Sequence, residues 1–578
     1  MPDINSILKN NPSSFANALE ISKSLCCYSK HGYNDEEQIS VPKQMLPFQF
    51  HTLGGVPLCY DSSSEKVYVD NTDKHTLIIG QTGSKKSRLV AIPLVHILGL
   101  AGESMIISDP KGEIYDWSYN FLKKQKYNIK IINLRTPKQG NSWNPLALPY
   151  EFYKNKDIDH AYEFANDIAV NLTVIDKSEK EAFWDNSAGS VLFGLMLLLF
   201  KYCYEHHEPD EAVCIKNILE LRNALFEVKE PEKTNIWKYA MQDHFIKSVL
   251  VGTVETAGDT RKGVLSSLDQ KMRAFYINPS LLDMLRRDDN TFEHIMEQPT
   301  AVFIILPDEK TSHHNLVSLY IKQSYEYIIY RAQQRHKNNL TEQVRVNYIL
   351  DEFSSLPTIA DFPAMITAAR SRNIRFNLFL QSKNQLKMRY AEDCSTIMSN
   401  CENWIYLSSR ELELLKEISE LCGECSGGSH KALLSISDLQ HFDKGKGQVL
   451  VLTARRKPMI SNLPDISFYP TEVMNNEVYM TENVSPILQE SDDSFILRFK
   501  KSIDELFQKQ PYEPSPTAIF QENKLPDFRF IHDIQTKHQE IIQRLSRLEK
   551  KVELLTQERK KTLLSAITQV IRGNSNEL

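Results

Sequence analysis

Short apolar runs separated by helix-length segments mark the chain from Thr76 onwards. TLIIG, SMIISD and IKIINL come first, and TAVFIILP, VRVNYIL, IRFNLFL, NWIYLSS and GQVLVLT follow after a long interval. Strands that alternate with helices in this way are typical of a parallel sheet with helices on its faces. The pattern therefore predicts an α/β domain with a mostly parallel sheet, built from residues 76–146 and 298–470.

The interval between these two parts has a helical period instead. In AYEFANDIAVNLTV, CIKNILELRNALF and GVLSSLDQKMRAF, apolar residues recur every three or four positions. We expect residues 147–297 to form an all-α domain inserted into the sheet domain. Its longest apolar run, VLFGLMLLLF at residues 191–200, is half of the ~20 residues needed to cross a bilayer, and it indicates a buried core helix.

The two ends of the chain differ from this body. Residues 1–75 mix polar, helix-like segments with a short strand pattern near Lys66, and we interpret them as a lead-in. Residues 471–530 are rich in Pro, Ser and Asp, which is typical of a linker.

Residues 531–565 have the apolar spacing of a C-terminal coiled coil. One row recurs every seven residues from Ile534 to Leu555, and a second row, offset by four, includes Leu545 and Val552. Self-association and docking on a partner both fit this pattern, as does a lone amphipathic helix on the surface of the body.

The composition is that of an ordinary globular protein, with 41% hydrophobic and 25% charged residues. A formal net charge of -6 argues against a protein that coats nucleic acid nonspecifically, because such binding needs surplus Lys and Arg. Nine scattered cysteines, including the pair Cys422 and Cys425, lack a disulfide or zinc-ribbon framework and suit a reducing compartment. The first residues, MPDINSILKNNPSSF, do not resemble a signal peptide, so we expect a cytoplasmic protein.

A candidate phosphate-binding loop follows the TLII strand and comprises Gly80, Gln81, Thr82, Gly83, Ser84, Lys85, Lys86 and Ser87. It matches the pattern G-x-x-x-x-G-K-[ST] except that Lys85 replaces the second glycine. Backbone N–H groups of such a loop bind the phosphates of ATP, while Lys86 reaches their oxygens and Ser87 binds Mg²⁺. The replaced glycine commonly has a positive φ, which costs another residue about 1 kcal/mol. A chance Gly/Ser/Lys turn is the alternative interpretation.

A second motif strengthens the first, because VRVNYIL is a buried strand that ends in two acids. Asp351 is placed to hold Mg²⁺, and Glu352 to polarise the attacking water. Gln381 ends the next strand, at the edge of the sheet where open α/β folds bind ligands, so we expect it to sense the γ-phosphate. Ordinary solvated acids and a strand-capping glutamine are the alternatives.

Three arginines, Arg370, Arg372 and Arg375, lie between these acids and Gln381. In a ring of subunits, one of them would enter the neighbouring site as an arginine finger and stabilise charge in the transition state. A solvated basic face is the alternative for each of them.

Together these segments resemble the coupling-protein family of type IV secretion (the TraG/TraD group), within the FtsK/HerA class of ring ATPases. The resemblance runs in order through residues 75–470 and includes ISDPKGEIYD, WNPL, FWDNSA, LDEFSSLPTI and QSKNQL. It implies a RecA-like nucleotide domain, a homohexameric ring, a central channel for DNA and a role for Arg370 as the trans-acting arginine. Members of the family usually carry transmembrane helices before the motor, and we expect no integral membrane segment in this chain.

We therefore expect an ATPase that couples hydrolysis to DNA translocation and delivers DNA or nucleoprotein to a transfer channel, with ATP and Mg²⁺ bound. Secretion-channel or relaxase components are the expected partners, and the protein is expected in the cytoplasm or peripherally at the inner face of the membrane. One alternative is a cytoplasmic ring ATPase of a defence or DNA-processing system. Another, suggested by Lys85, is a scaffold that binds nucleotide without hydrolysing it.

Overall fold

The computed structural model describes residues 25–29, 53–173, 179–256, 258–289, 292–307, 309, 313–337, 344–425, 431–469 and 494–509. The chain divides into two compact units, Met1–Leu506 and Phe507–Leu578. The second unit lies outside the described residues except for 507–509. The predicted coiled coil at 531–565 is therefore outside the described part of the chain and stays a prediction.

A small antiparallel sheet precedes the main domain and consists of β1 (Cys26–Ser29), β2 (Val56–Asp61) and β3 (Lys66–Asp70) in the order β1-β3-β2. Of these three strands, only β3 was predicted from the sequence. Within the described residues, nine further strands form the central sheet: β4 (Thr76–Gly80), β5 (Ser104–Asp109), β6 (Asn128–Asn133), β7 (Thr300–Ile305), β8 (Val346–Leu350), β9 (Ile374–Leu380), β10 (Asn403–Ser408), β11 (Gln448–Thr453) and β12 (Met459–Asn462).

The strand order across the central sheet is β12-β11-β10-β4-β9-β8-β5-β7-β6. In this order, the strands from β10 to β6 are parallel to one another, whereas β11 and β12 are antiparallel additions at one edge. Every residue of β4, β5, β7, β8 and β9 is buried, which explains why these strands appear in the sequence as continuous apolar runs. The predicted α/β class with a mostly parallel sheet is confirmed.

The described α-helices before residue 470 fall into two groups. Those of the sheet domain are α1 (Ile92–Ala101), α2 (Glu113–Lys124) and, after the insertion, α12 (His314–Lys337), α13 (Phe362–Ala369), α14 (Lys383–Tyr390), α15 (Asp393–Asn400), α16 (Leu412–Cys422) and α17 (Ile436–Gln440). The described residues between the two groups of strands form α3 (Ala147–Lys154), α4 (Ile158–Thr173), α5 (Glu179–Glu205), α6 (Ile215–Phe226), α7 (Asn235–Ala240), α8 (His244–Val254), α9 (Gly258–Tyr276), α10 (Pro279–Met284) and α11 (Glu293–Glu297).

Helix α5 forms the centre of this helical region and packs against α4, α8 and α9. By length and composition its segment Phe183–Glu205 is apolar enough to cross a membrane, but 83% of its apolar window is buried inside the protein. It therefore packs as a core helix. A last described helix, α18 (Phe495–Lys509), lies on the same region, with the ring of Phe499 4.5 Å from that of Tyr202 in α5.

Candidate nucleotide-binding site

The phosphate-loop motif forms a tight turn between β4 and a helix. The turn leaves β4 at Gly80, and a single π-helical turn, Ser87–Ala91, then leads into α1. Gly83 has φ 76° and Lys85 has φ 67°, both in the left-handed region. Lys85 therefore adopts the conformation that favours glycine at this position of the motif.

The interior of this turn is shaped for a ligand. A β-carbon on Gly80 would lie 2.4 Å from Ser84 Oγ and 3.0 Å from Lys86 Cγ, so only glycine leaves room there. Ser84 Oγ is buried and has no hydrogen-bond partner among the described residues. A buried hydroxyl without a partner is costly, and an anion enclosed by the loop would satisfy it.

Lys86 is 7% exposed, and its Nζ donates a hydrogen bond of 2.5 Å to the carbonyl oxygen of Gly80. Burial lowers the pKa of this ammonium group, and the nearby carboxylates of Asp351 and Glu352 partly oppose the shift. The cation is thus held in the mouth of the loop, where its charge faces the two acids at the end of β8.

The two acids have different environments. Asp351 is buried, and burial together with the charge of Glu352 raises its pKa to about 6, while Lys86 opposes the shift. Glu352 is half-buried and has φ 52°. A positive φ strains the backbone of a residue other than glycine and persists only where the surrounding structure enforces it. Such residues are concentrated at functional sites.

Gln381 joins the acid to the phosphate loop. Its Nε2 donates a hydrogen bond of 2.7 Å to Glu352 Oε1, and its Oε1 accepts one of 2.9 Å from Thr82 Oγ1. The contact follows from topology, because β9 lies between β4 and β8 and the carboxyl ends of these parallel strands meet. The structure therefore brings together Thr82, Lys86, Asp351, Glu352 and Gln381.

Asp109, at the carboxyl end of β5, belongs to the same cluster but was not identified from the sequence. It is fully buried, and burial, with a contribution from Asp351, raises its pKa to about 7, although the backbone N–H of Tyr115 donates a 2.8 Å hydrogen bond to its Oδ2. Lys111 is also close, since its charge lowers the pKa values of Lys86 and Asp351. Both residues belong to the sequence motif SDPKGE, which begins in the buried strand β5. The carboxyl end of β5 lies beside that of β8, and this could have indicated their place in the site.

The arginines lie at the amino-terminal ends of the strands, opposite the carboxyl ends where the site is found. Arg370 is in the turn before β9, and its guanidinium is paired with Asp73 at 3.1 Å and with Glu402. Asp73 precedes β4 and Glu402 precedes β10, so both mark the amino-terminal edge of the sheet. The chain does not bring Arg370 into its own nucleotide site.

Arg375 and Arg372 differ sharply in burial. Arg375 is buried, and its guanidinium binds Glu103 Oε2 at 2.5 Å and Asn347 Oδ1 at 2.8 Å. This is a structural role within the sheet, which excludes Arg375 as a finger. Arg372 is half-exposed and donates a 3.0 Å hydrogen bond to Ser371 Oγ.

Comparison with known proteins gives one family and one fold. A family model described as Type IV secretory system Conjugative DNA transfer matches residues 27–432. A search of curated protein sequences found no match.

Among solved structures, the unbound bacterial conjugative coupling protein TrwBdeltaN70 matches with a TM-score of 0.52 and 16% sequence identity, covering 70% of this chain and 88% of that chain. The plasmid coupling protein TrwB in complex with ADP and Mg²⁺ matches with a TM-score of 0.52 and 15% identity, covering 72% and 91%. At these identities the likeness concerns the fold. It confirms the RecA-like α/β architecture expected from the sequence.

Proposed function

Because the chain belongs to the type IV secretion family of conjugative DNA transfer proteins, we propose that it is an ATP-driven DNA translocase that passes DNA or nucleoprotein to a transfer channel. The observation that carries this proposal is the meeting of Lys86, Asp351, Glu352 and Gln381 at one edge of the sheet. A positioned cation, a buried acid and a second acid tied to the phosphate loop are the parts that phosphoryl transfer needs.

Each residue has a separate task in the proposed reaction. Lys86, the hydroxyl of Ser84 and the backbone N–H groups of the loop bind the phosphates, while Ser87 and Asp351 would hold Mg²⁺. When bound, the metal ion would supply charge neutralisation at the phosphate oxygens. Glu352 orients the attacking water and accepts its proton. Gln381 transmits the state of the site, because its amide already connects Glu352 with Thr82 on the loop.

We further propose a homohexamer in which Arg370 serves the site of the adjacent subunit. Its position at the amino-terminal edge of the sheet supports this, since it is remote from its own phosphate loop. DNA would pass through the channel of this ring. Components of a secretion channel or a relaxase are the proposed partners, and the proposed location is the cytoplasm or the inner face of the membrane, where the protein would be peripheral.

ATP turnover with and without DNA tests the proposal. The wild-type protein should release phosphate faster when DNA is added, and the isosteric variant Glu352→Gln should bind ATP but release none. A rate that DNA does not change would contradict the translocase. Turnover that survives in Glu352→Gln would contradict the assignment of the water-activating acid, and no turnover in wild type would favour a non-hydrolysing scaffold.

A further inference from the structure

A second loop that contains glycine and lysine lies next to the phosphate loop. It spans residues 443–447, with the sequence DKGKG, between α17 and β11. A β-carbon on Gly83 would lie 3.6 Å from Lys444 Nζ. Within the described residues no hydrogen bond or ion pair holds the Lys444 side chain, so its ammonium group lies against the phosphate loop without a protein anion to neutralise it.

The conformation of this loop is built into the fold. Asp443 Oδ1 accepts hydrogen bonds from the backbone N–H of Gly445 at 2.8 Å and of Lys446 at 3.3 Å. Gly447 has φ 64°, and a β-carbon there would lie 2.3 Å from the carbonyl oxygen of Leu463. Only glycine fits at that point, where the loop packs against the chain that follows β12.

A cavity of about 250 Å³ lies between the two loops, and its lining includes Tyr60, Lys85, Leu89, Gly447, Leu463 and Asp465. Pockets that bury a whole drug-sized ligand measure roughly 300 to 1,000 Å³, so this one fits part of a nucleotide. The ring of Tyr60, one of the lining residues, packs edge-on against Phe468 at 5.3 Å. The apolar and aromatic part of this lining, formed by Tyr60, Leu89 and Leu463, suits a base.

The cavity has charged as well as apolar lining, so it suits a ligand with both an apolar and an anionic part, such as a nucleotide. Lys85 and Lys446 both line the cavity, and Lys446 Nζ lies 3.5 Å from Asp443 Oδ2. The one lining carboxylate, Asp465, is bound in two places by Arg88, with Arg88 Nε 3.0 Å from its Oδ1. The cavity thus borders the phosphate loop at Lys85.

We propose that residues 443–447 form a second nucleotide-binding loop, in which Lys444 binds the polyphosphate alongside Lys86 and the adjacent cavity receives the nucleoside. This inference rests on the proposed nucleotide binding. It assigns to a segment outside the recognised motif both a phosphate contact and one wall of the nucleoside site.

Calorimetric titration of the full chain with ADP and with pyrophosphate, both with Mg²⁺, separates the two parts of this proposal. Ser62 is exposed at the rim of the cavity, so Ser62→Trp should block the cavity, weaken ADP binding about tenfold and leave pyrophosphate binding unchanged. Ser399→Trp, on α15, is the control for a surface tryptophan. Lys444→Ala should weaken both ligands about tenfold, as expected for one lost charge-assisted hydrogen bond, and Lys444→Arg should restore most of the affinity.

The outcomes are distinguishable. An unchanged ADP affinity in Ser62→Trp, or equal losses for ADP and pyrophosphate, would overturn the nucleoside site. Asn462→Trp at the same cavity replaces Ser62→Trp if circular dichroism shows that variant to be unfolded. Unchanged affinities in Lys444→Ala would overturn the phosphate contact. If the wild-type protein binds neither ligand, or if Lys86→Ala binds both normally, the proposed nucleotide function itself fails.

Discussion

At the scale of single residues, the site contains residues with a strained backbone and carboxyl groups with raised pKa values. Lys85 and Glu352 have positive φ values of 67° and 52°, and neither is a glycine. Asp109 and Asp351 have pKa values raised to about 7 and about 6 by burial. Strained backbone and buried carboxylates both reduce stability, so their concentration around Lys86 is consistent with selection for function.

The strain at Lys85 gives the first prediction. Lys85→Gly should increase the free energy of unfolding by up to about 1 kcal/mol, because glycine adopts the left-handed conformation without a clash, and ATP turnover should persist. Urea unfolding measures the change. Lys85→Ala is the matched control, since it removes the ammonium but keeps the strain and should show no gain. Loss of ATP turnover in Lys85→Gly would make Lys85 a functional residue.

The buried carboxyl group of Asp109 predicts a pH dependence of stability. Its pKa rises from 3.8 to about 7 on folding, so the folded chain binds the proton more tightly than the unfolded chain. The contribution of Asp109 to the free energy of unfolding therefore falls as pH rises from about 4 to about 7, and above pH 7 the cost of its buried charge is complete. Asp109→Asn removes this titration and should be more stable than wild type by about 2 to 4 kcal/mol at pH 8, with little difference at pH 4.

Chemical unfolding at several pH values in the absence of nucleotide provides the test. Ser108→Ala, beside Asp109 on β5, is a control that does not titrate. A stability difference between Asp109→Asn and wild type that stays constant from pH 4 to 8 would contradict the raised pKa.

At the scale of elements, a buried polar network fixes the amino-terminal edge of the sheet. Arg375 in β9 binds Glu103, just before β5, and Asn347 in β8. Glu103 in turn accepts a 2.8 Å hydrogen bond from the N–H of Gly54, and Arg375 also donates to the carbonyl oxygens of Gly54 and Thr72. The network thus links β8, β9 and the residue before β5 to the segments around the small sheet.

Removing one partner from this network should lower the free energy of unfolding. Arg375→Ala leaves the Glu103 carboxylate buried without its main counter-charge, and we expect a loss of about 3 to 5 kcal/mol in the free energy of unfolding. Arg372→Ala, three residues earlier and half-exposed, should change it by less than about 1 kcal/mol. Urea denaturation compares the two, and similar losses would contradict the structural role of Arg375.

At the scale of the whole molecule, the nucleotide cluster and Arg370 lie at opposite edges of the same sheet. In its own chain Arg370 is paired with Asp73 and Glu402. An arginine in this position contributes to catalysis only if a second copy is placed against it, so the proposed ring has a direct biochemical consequence.

We expect Arg370→Ala to bind ATP but lose turnover, and a mixture with Glu352→Gln subunits to recover part of it. Recovery follows because the two lesions can fall on different interfaces of a mixed ring and leave some sites complete. Phosphate release from mixtures at several ratios is the measurement. Asp73→Asn controls for the ion pair within the chain, and if it is as inactive as Arg370→Ala, or if the mixtures stay inactive, action in trans is contradicted.

The sequence by itself determined the parts of this protein that depend on neighbouring residues. The strands β4, β5, β7, β8 and β9 appear in it as continuous apolar runs, because a parallel strand covered on both faces buries every side chain. The phosphate loop is likewise local, since its glycines, Lys86 and Ser87 act through one turn and one helix start. The edge strands β2 and β12 are partly exposed, and they left no such signal.

Tertiary structure decided which of these parts meet. Gln381 contacts Glu352 because β9 lies between β4 and β8, and Asp109 joins Asp351 because β5 lies beside β8. Strand order is set by packing over hundreds of residues, so no local pattern reveals it. Of three arginines in one short segment, packing buries Arg375 beside Glu103 and leaves Arg370 at the opposite edge from the site. The approach of Lys444 to Gly83, 361 positions away in sequence by their residue numbers, likewise exists only in the folded chain.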